Sequence, residues 1–162
     1  MGMVLIIISI ILMIIAIGIF LKAYFDKKKN KISFKEAMDL TELPIVTFYN
    51  DNIKLNFLLD SGSNLSHINS SVVKELKDIK TEKTEISVIG FSGKANFQEF
   101  CTIKISNKNK EYEEKFLIAD LEDSFNAIKQ ESGVTIHGIL GNQFFEKYKY
   151  VLDFASLIAY TK

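Results

Sequence analysis

The chain has 162 residues, with 20 lysines balanced by 20 acidic side chains and no arginine. A neutral chain lacking the planar guanidinium fork offers neither the basic field nor the bidentate donors of nucleic-acid recognition, so no nucleic-acid partner is expected. The single cysteine, Cys101, leaves no intrachain disulfide to form, suits a reducing compartment and reads as a small residue half buried in a strand.

Met3 to Leu21 carries no charged residue and is dominated by Ile, Leu, Val and Met. As a helix this stretch spans roughly 28 Å, close to the hydrocarbon thickness of a bilayer. No basic residue precedes it and no small-residue cleavage site follows, so a membrane span over residues 1–24 is expected rather than a signal peptide. Lys22, Lys27, Lys28, Lys29 and Lys31 all follow the segment. That asymmetry predicts a single-pass protein of the cell membrane, in contact with lipid through residues 3–21, whose C-terminal domain is cytoplasmic. Residues 25–43 are polar and read as a juxtamembrane linker or lid, with room for a short helix over Phe34–Met38.

The soluble domain is expected over residues 44–162. Pro44 opens a strand, Ile45–Tyr49, and the turn Asn50-Asp51-Asn52 returns the chain as Ile53–Leu59. This second strand runs straight into Asp60-Ser61-Gly62-Ser63. In isolation those residues are an ordinary turn. Ser70 or Ser71 can cap a brief helix with Val72, Val73 and Leu76 on one face. A polar connection over Lys80–Lys83 leads to Ile86–Ile89, and the bracket Gly90-Phe91-Ser92-Gly93 joins that strand to another over Ala95–Ser106 as a hairpin. Glu111–Ala119 forms a further strand. Asp120–Gly133 is the least regular part, either helix or ordered loop. Ile136-His137-Gly138-Ile139-Leu140-Gly141 repeats the apolar-to-glycine grammar of the Asp60 stretch. Asn142 then caps a helix over Gln143–Lys147, and Tyr150–Phe154 with Leu157–Tyr160 closes the chain as a hairpin. Many short strands with regular turns predict an all-β barrel or sandwich.

Taken in order, Leu58-Leu59-Asp60-Ser61-Gly62-Ser63, the Gly-bracketed hairpin, Ile139-Leu140-Gly141 with its Phe-rich helix, and Val151-Leu152-Asp153-Phe154 resemble the retropepsin-like aspartic proteases, here of a membrane-anchored bacterial type. The likeness covers Pro44 to Thr161. It implies a closed acid-protease barrel with short helices, in which Asp60, Ser61 and Gly62 form the catalytic turn. It further implies that Ile139-Leu140-Gly141 threads beneath that turn, and that Gly90, Phe91, Ser92 and Gly93 form a flap covering the substrate. Ser63, Ile139 and Leu140 would join the flap residues in binding substrate, Ser63 by holding the carboxylate, while Ser61 would bond across a two-fold axis. The chain departs from the retroviral pattern in a longer spacing from Asp60 to Gly141, in Asn142 where an arginine often stands, and in its N-terminal anchor.

Peptide hydrolysis without a metal or a covalent nucleophile needs one base and one acid. Two carboxylates about 3 Å apart share a proton and supply both. The chain has one Asp-Ser-Gly, and Asp153 lacks a following glycine and reads as structural, so a homodimer contributing Asp60 twice is implied. The expected function is therefore a membrane-anchored aspartic endopeptidase, with no cofactor and no metal. Its substrate would be a protein or peptide, such as a membrane-tethered protein or the chain's own Lys27–Leu43 segment. The alternative is a non-catalytic pepsin-fold module that binds an extended peptide at the membrane. His67 and His137 read as surface or loop residues: no G-x-S-x-G elbow accompanies the serines, and the spacing with Cys101 matches no zinc site.

Overall fold

The computed structural model describes residues 10–21, 32–76, 79–90 and 93–162, with the backbone alone over 84–90 and 93–98. It contains two compact units, residues 1–31 and Ile32–Lys162. In the first, residues 10–21 form helix α1, whose large apolar side chains from Ile10 to Leu21 are exposed. The start of the expected span and the lysines that follow it lie outside the described residues. No helix among the described residues is long and apolar enough to cross a membrane.

The second unit opens with α2 (Phe34–Thr41), the short helix the sequence left room for. Its start is fixed by a capping box, in which the Ser33 hydroxyl accepts from the Glu36 N–H and the Glu36 carboxylate accepts from the Ser33 N–H. Phe34 and Ala37 are buried, so residues 32–41 belong to the folded unit. The strands follow as β1 (Ile45–Asn50), β2 (Ile53–Leu59), β3 (Ser66–Asn69), β4 (Lys80–Gly90), β5 (Gly93–Asn107) and β6 (Lys110–Ala119). A four-residue helix α3 (Ser70–Val73) follows β3 and α4 (Glu122–Ser132) follows β6. The chain ends with β7 (Gly138–Leu140), α5 (Asn142–Tyr148) and the hairpin β8 (Tyr150–Asp153) and β9 (Ile158–Thr161).

The main sheet runs β1-β2-β7-β3-β6-β5-β4, and an additional β1–β5 pairing closes its first six strands into a barrel. Tyr49 opposite Ser106 makes that closure. The polar stretch Lys80–Lys83, expected as a connection, is the first part of β4. It pairs with β5 from Thr102 to Glu99 before an irregularity between Lys83 and Ile86. Its threonine and long aliphatic lysine stems fit an exposed edge strand, where polarity gives no contrary signal. The irregular stretch resolves as α4, ended by Gly133 in the left-handed region at φ 74°.

Period-two alternation sorts the side chains between two cores. Phe48, Leu55, Phe57, Leu59, Ile68, Phe116, Leu140 and Phe144 fill the barrel interior. Around Phe144 the rings of Phe48, Tyr112 and Tyr150 pack with centroids 5.9, 5.3 and 5.2 Å away, separations typical of favourable aromatic pairs. On the opposite face, Ile32, Ala37, Ile45, Phe125, Val134 and Ile136 bury α2 and α4 against the sheet. Cys101 is more deeply buried than expected, 1% exposed, and burial pushes its thiol pKa up to about 11.

Candidate active site

β2 delivers Asp60. Leu55, Phe57 and Leu59 turn into the barrel while Leu58 stays half-buried on the other face, so the strand is held on its inner side up to its last residue. β7 lies parallel beside it, with Phe57, Leu58 and Leu59 opposite Gly138, Ile139 and Leu140. The Asp60 N–H continues this ladder by donating to the Leu140 carbonyl at 3.0 Å. The chain then turns. The Gly62 N–H donates to Asp60 Oδ1 at 2.9 Å, and the Ser63 N–H donates to the Asp60 carbonyl at 3.2 Å. A Cβ on Gly62 would stand 3.2 Å from Asp60 Oδ1, so a side chain would crowd the carboxylate it now supports. Asp60 is half-buried, with Ser61 and Gly62 exposed beside it.

The loop is clamped from below by the segment after β7. Asn142 N–H donates to the Ser63 carbonyl at 2.6 Å and Gln143 N–H to the Asn64 carbonyl at 3.3 Å. Gly141 N–H donates to Ser66 Oγ at 3.1 Å, and that hydroxyl donates to Glu114 Oε1 at 2.7 Å. Gly141 is required by close approach: a Cβ there would collide with the Leu65 carbonyl and stand 2.8 Å from the Ser63 carbonyl oxygen. The passage of Ile139-Leu140-Gly141 beneath the turn is thus held by these backbone contacts. Asn142 begins α5 instead of capping it. Gly141 occupies the N-cap, with no side-chain cap.

Two of the expected site residues take other roles. The Ser63 hydroxyl donates to the Leu65 carbonyl at 2.8 Å, tightening its own loop, where the sequence reading had it holding the Asp60 carboxylate. Leu140 is fully buried in the barrel core. Strand alternation therefore leaves its half-buried neighbour Ile139 as the one of the pair with an open surface. β4 and β5 pair as a hairpin as far as Gly90 opposite Gly93; Phe91 and Ser92, expected at the tip of a flap, lie outside the described residues. Asp153 is structural, as expected. Its Oδ1 accepts the Ala155 and Ser156 N–H groups at 2.9 and 3.0 Å, bonds that hold its pKa below the usual carboxylate range.

His137 lies in the loop before β7, within the surface-or-loop reading, whereas His67 lies on a strand and departs from it. His137 is half-buried; its Nδ1 accepts the Asn56 N–H at 2.9 Å, and burial lowers its pKa. Asn56 ties this segment to β1 and β2 by donating to the Thr135 carbonyl at 2.8 Å and accepting from the Thr47 hydroxyl at 2.7 Å. His67 sits on β3 with Nδ1 buried and unbonded. Burial lowers its pKa, and the Leu65 carbonyl and the Asp60 carboxylate oppose that shift. Glu114, 4% exposed, was not legible as a site residue. Its carboxyl is held above the usual range by burial, opposed by the Ser66 hydroxyl and by Lys147, whose Nζ lies 3.8 Å away.

A six-stranded barrel, an acid at the end of an inner strand and a parallel glycine-ended strand beneath it define a retropepsin-like fold. Solved structures agree. The protease of EIAV, complexed with the inhibitor HBY-793, superimposes with a TM-score of 0.50 at 19% identity, over 67% of this chain and 90% of that one. The retroviral protease-like domain of Ddi1 from Leishmania major gives a TM-score of 0.50 at 10% identity, over 74% of this chain and 86% of that one. No protein-family model and no curated protein matches the sequence.

Proposed function

We propose that the chain is an aspartic endopeptidase, active as a homodimer and anchored in the cell membrane with its folded unit on the cytoplasmic side. The observation that carries the reading is the Asp60 carboxylate. It projects from the end of β2 on a retropepsin-like barrel, with one oxygen held by the Gly62 N–H at 2.9 Å. A carboxylate so fixed can take a proton from water, but the leaving amine also needs an acid. A second Asp60, brought by a second copy, supplies it: the two share one proton because both cannot ionise at contact distance. Ser61, exposed beside the carboxylate, would bond across such a junction. The β4–β5 hairpin serves as the flap that excludes water.

Anchoring rests on the uncharged Met3–Leu21 segment and the lysines that follow it, and the exposed apolar side chains of α1 are what lipid would cover. Confinement to a membrane raises the effective concentration for dimerisation. It favours membrane-tethered protein substrates, or the chain's own segment between Lys27 and Leu43.

The test uses the full chain in detergent micelles with a peptide library, comparing wild type with Asp60→Asn. Cleavage by wild type and a loss of about a thousandfold or more in the variant is the expected result, the size seen when a group of the reacting machinery is removed. If neither hydrolyses any peptide while both bind peptides equally, the enzyme reading fails and a peptide-binding module takes its place. Reporter fusions at the C-terminus read the orientation, and an external reporter would overturn the cytoplasmic placement.

A further inference from the structure

The peptide unit between Leu140 and Gly141 is bonded on both sides. The sheet order places β7 between β2 and β3, and the unit is planar and trans, so its carbonyl and its N–H point to opposite neighbours. The carbonyl accepts the Asp60 N–H at 3.0 Å, and the N–H donates to Ser66 Oγ at 3.1 Å. The backbone register between β3 and β7 ends at His67 opposite Ile139, so a side chain makes the next bond. Whatever directs the Ser66 hydroxyl therefore directs one side of the peptide that aligns Asp60.

Glu114 directs it. The hydroxyl has a single hydrogen, which it donates to Glu114 Oε1 at 2.7 Å, leaving its lone pairs for the Gly141 N–H. Both residues are buried, Ser66 at 1% and Glu114 at 4% exposed. A carboxylate is a stronger acceptor than a neutral oxygen, and hydrogen bonds in series polarise one another. The series from Glu114 through Ser66 Oγ and the Leu140–Gly141 peptide ends on the Asp60 N–H. A buried acid also costs stability unless it is closely paired. The one cation beside it among the described residues, Lys147, stands 3.8 Å away with a side chain 55% exposed. What Glu114 contributes is therefore direction more than stability.

We infer that Glu114 is a positioning residue for Asp60, acting through the Ser66 hydroxyl and the Leu140–Gly141 peptide. This rests on the endopeptidase reading for its effect on turnover, but not for its effect on the Asp60 backbone. Two measurements on the full chain in detergent micelles test it. The first is turnover. Glu114→Gln keeps an oxygen for Ser66 and loses the charge, so kcat is expected to fall about 3- to 10-fold with KM unchanged, in a protein that melts no earlier than wild type at pH 8. Loss of a merely structural contact would not give a slower enzyme of undiminished stability. Ser66→Ala is expected to lose about 10- to 100-fold in kcat. Adding Glu114→Gln to it should cost nothing more, because the acid acts through the hydroxyl. Glu114→Gln alone carries the test should Ser66→Ala fail to fold. The second measurement is amide hydrogen exchange. The Asp60 amide is expected to exchange about tenfold faster in Glu114→Gln, while those of Leu55 and Phe57 on the same strand keep their wild-type rates. If wild type cleaves no peptide yet this local change is seen, the positioning of Asp60 stands and the endopeptidase reading falls. A wild-type exchange rate at Asp60 in Glu114→Gln overturns the inference whatever the turnover. So does a wild-type kcat in that variant, or a double variant slowed by the product of the two single effects.

Discussion

The Asp60 N–H donates to the Leu140 carbonyl at 3.0 Å, so the candidate catalytic residue is aligned by a strand from the far end of the chain. The same three-residue strand sends Gly141 under the turn, where Ser66 Oγ accepts its N–H, and Asn142 and Gln143 into the carbonyls of Ser63 and Asn64. The position of the carboxylate thus depends on packing between two backbones, with the Gly62 N–H donating the final bond to Asp60 Oδ1.

That dependence makes Gly141→Ala severe. The added methyl would overlap the Leu65 carbonyl, and both backbones are hydrogen-bonded in place, so neither can yield cheaply. A fall in melting temperature of about 10 °C or more is expected, the range of the large, mechanism-specific losses. Gly133→Ala is a useful contrast. It sits at φ 74° with no atom within 4 Å of the added carbon, and its cost is expected near 1 kcal/mol from backbone conformation alone. Thermal unfolding of the two variants side by side measures the difference.

Glu114 sets a second expectation, with the opposite sign. Its folded-state pKa is raised by burial, so the folded protein binds this proton more tightly than the unfolded chain does. The contribution is therefore favourable at low pH and is lost as pH rises through the folded pKa. Glu114→Gln keeps an oxygen to accept from Ser66 and removes the buried charge. It is expected to raise the melting temperature by about 3 °C at pH 8 and to leave it nearly unchanged at pH 4, a shift of the size a modest stability change produces. Equal effects at both pH values would show that Lys147 already compensates the charge.

The sequence made the barrel strands legible because their apolar alternation is strong from Ile45 to Leu59 and from Phe116 to Ala119, and because Asn-rich turns separate them. Asp60-Ser61-Gly62 and Gly138–Gly141 were legible as a pair for the same reason: glycine after an apolar run marks a close backbone approach. The Ser66–Glu114 bond and the orphaned His67 Nδ1 were not. They join residues far apart in the chain, and no local pattern distinguishes an acid that alternates inward on β6 from its exposed neighbours Glu111 and Glu113. Leu140 was misplaced by reading Ile139-Leu140 as a unit, when adjacent residues on a strand face opposite ways.

On the acid side, His137 should dominate. Its folded-state pKa is depressed from 6.5 chiefly by burial, so the unfolded chain takes up the proton first. Stability from this group is complete above about pH 6.5 and is lost as pH falls below it. The Asn56 N–H, which needs the unprotonated Nδ1 as acceptor, is the bond that protonation breaks. Melting temperature is expected to fall between pH 7 and pH 5. His137→Gln, although less stable at pH 7, should show a shallower slope over that interval. An unchanged slope would assign the acid sensitivity to His67, the other buried imidazole with a lowered pKa.

The shared-carboxylate mechanism has a quantitative signature that needs no structure of the dimer. Each chain carries one Asp-Ser-Gly, so a dimer containing one Asp60→Asn chain has one carboxylate and lacks either the base or the acid. If wild type and variant associate at random, the fraction of fully competent dimers is the square of the wild-type fraction. An equal mixture at fixed total protein is then expected to retain about a quarter of the wild-type rate, whereas independent protomers would retain half. The chains must be mixed before reconstitution into vesicles, so that exchange within the membrane is complete. A linear dependence of rate on wild-type fraction would mean that a single Asp60 suffices, and the acid for the leaving amine would have to be sought within one protomer.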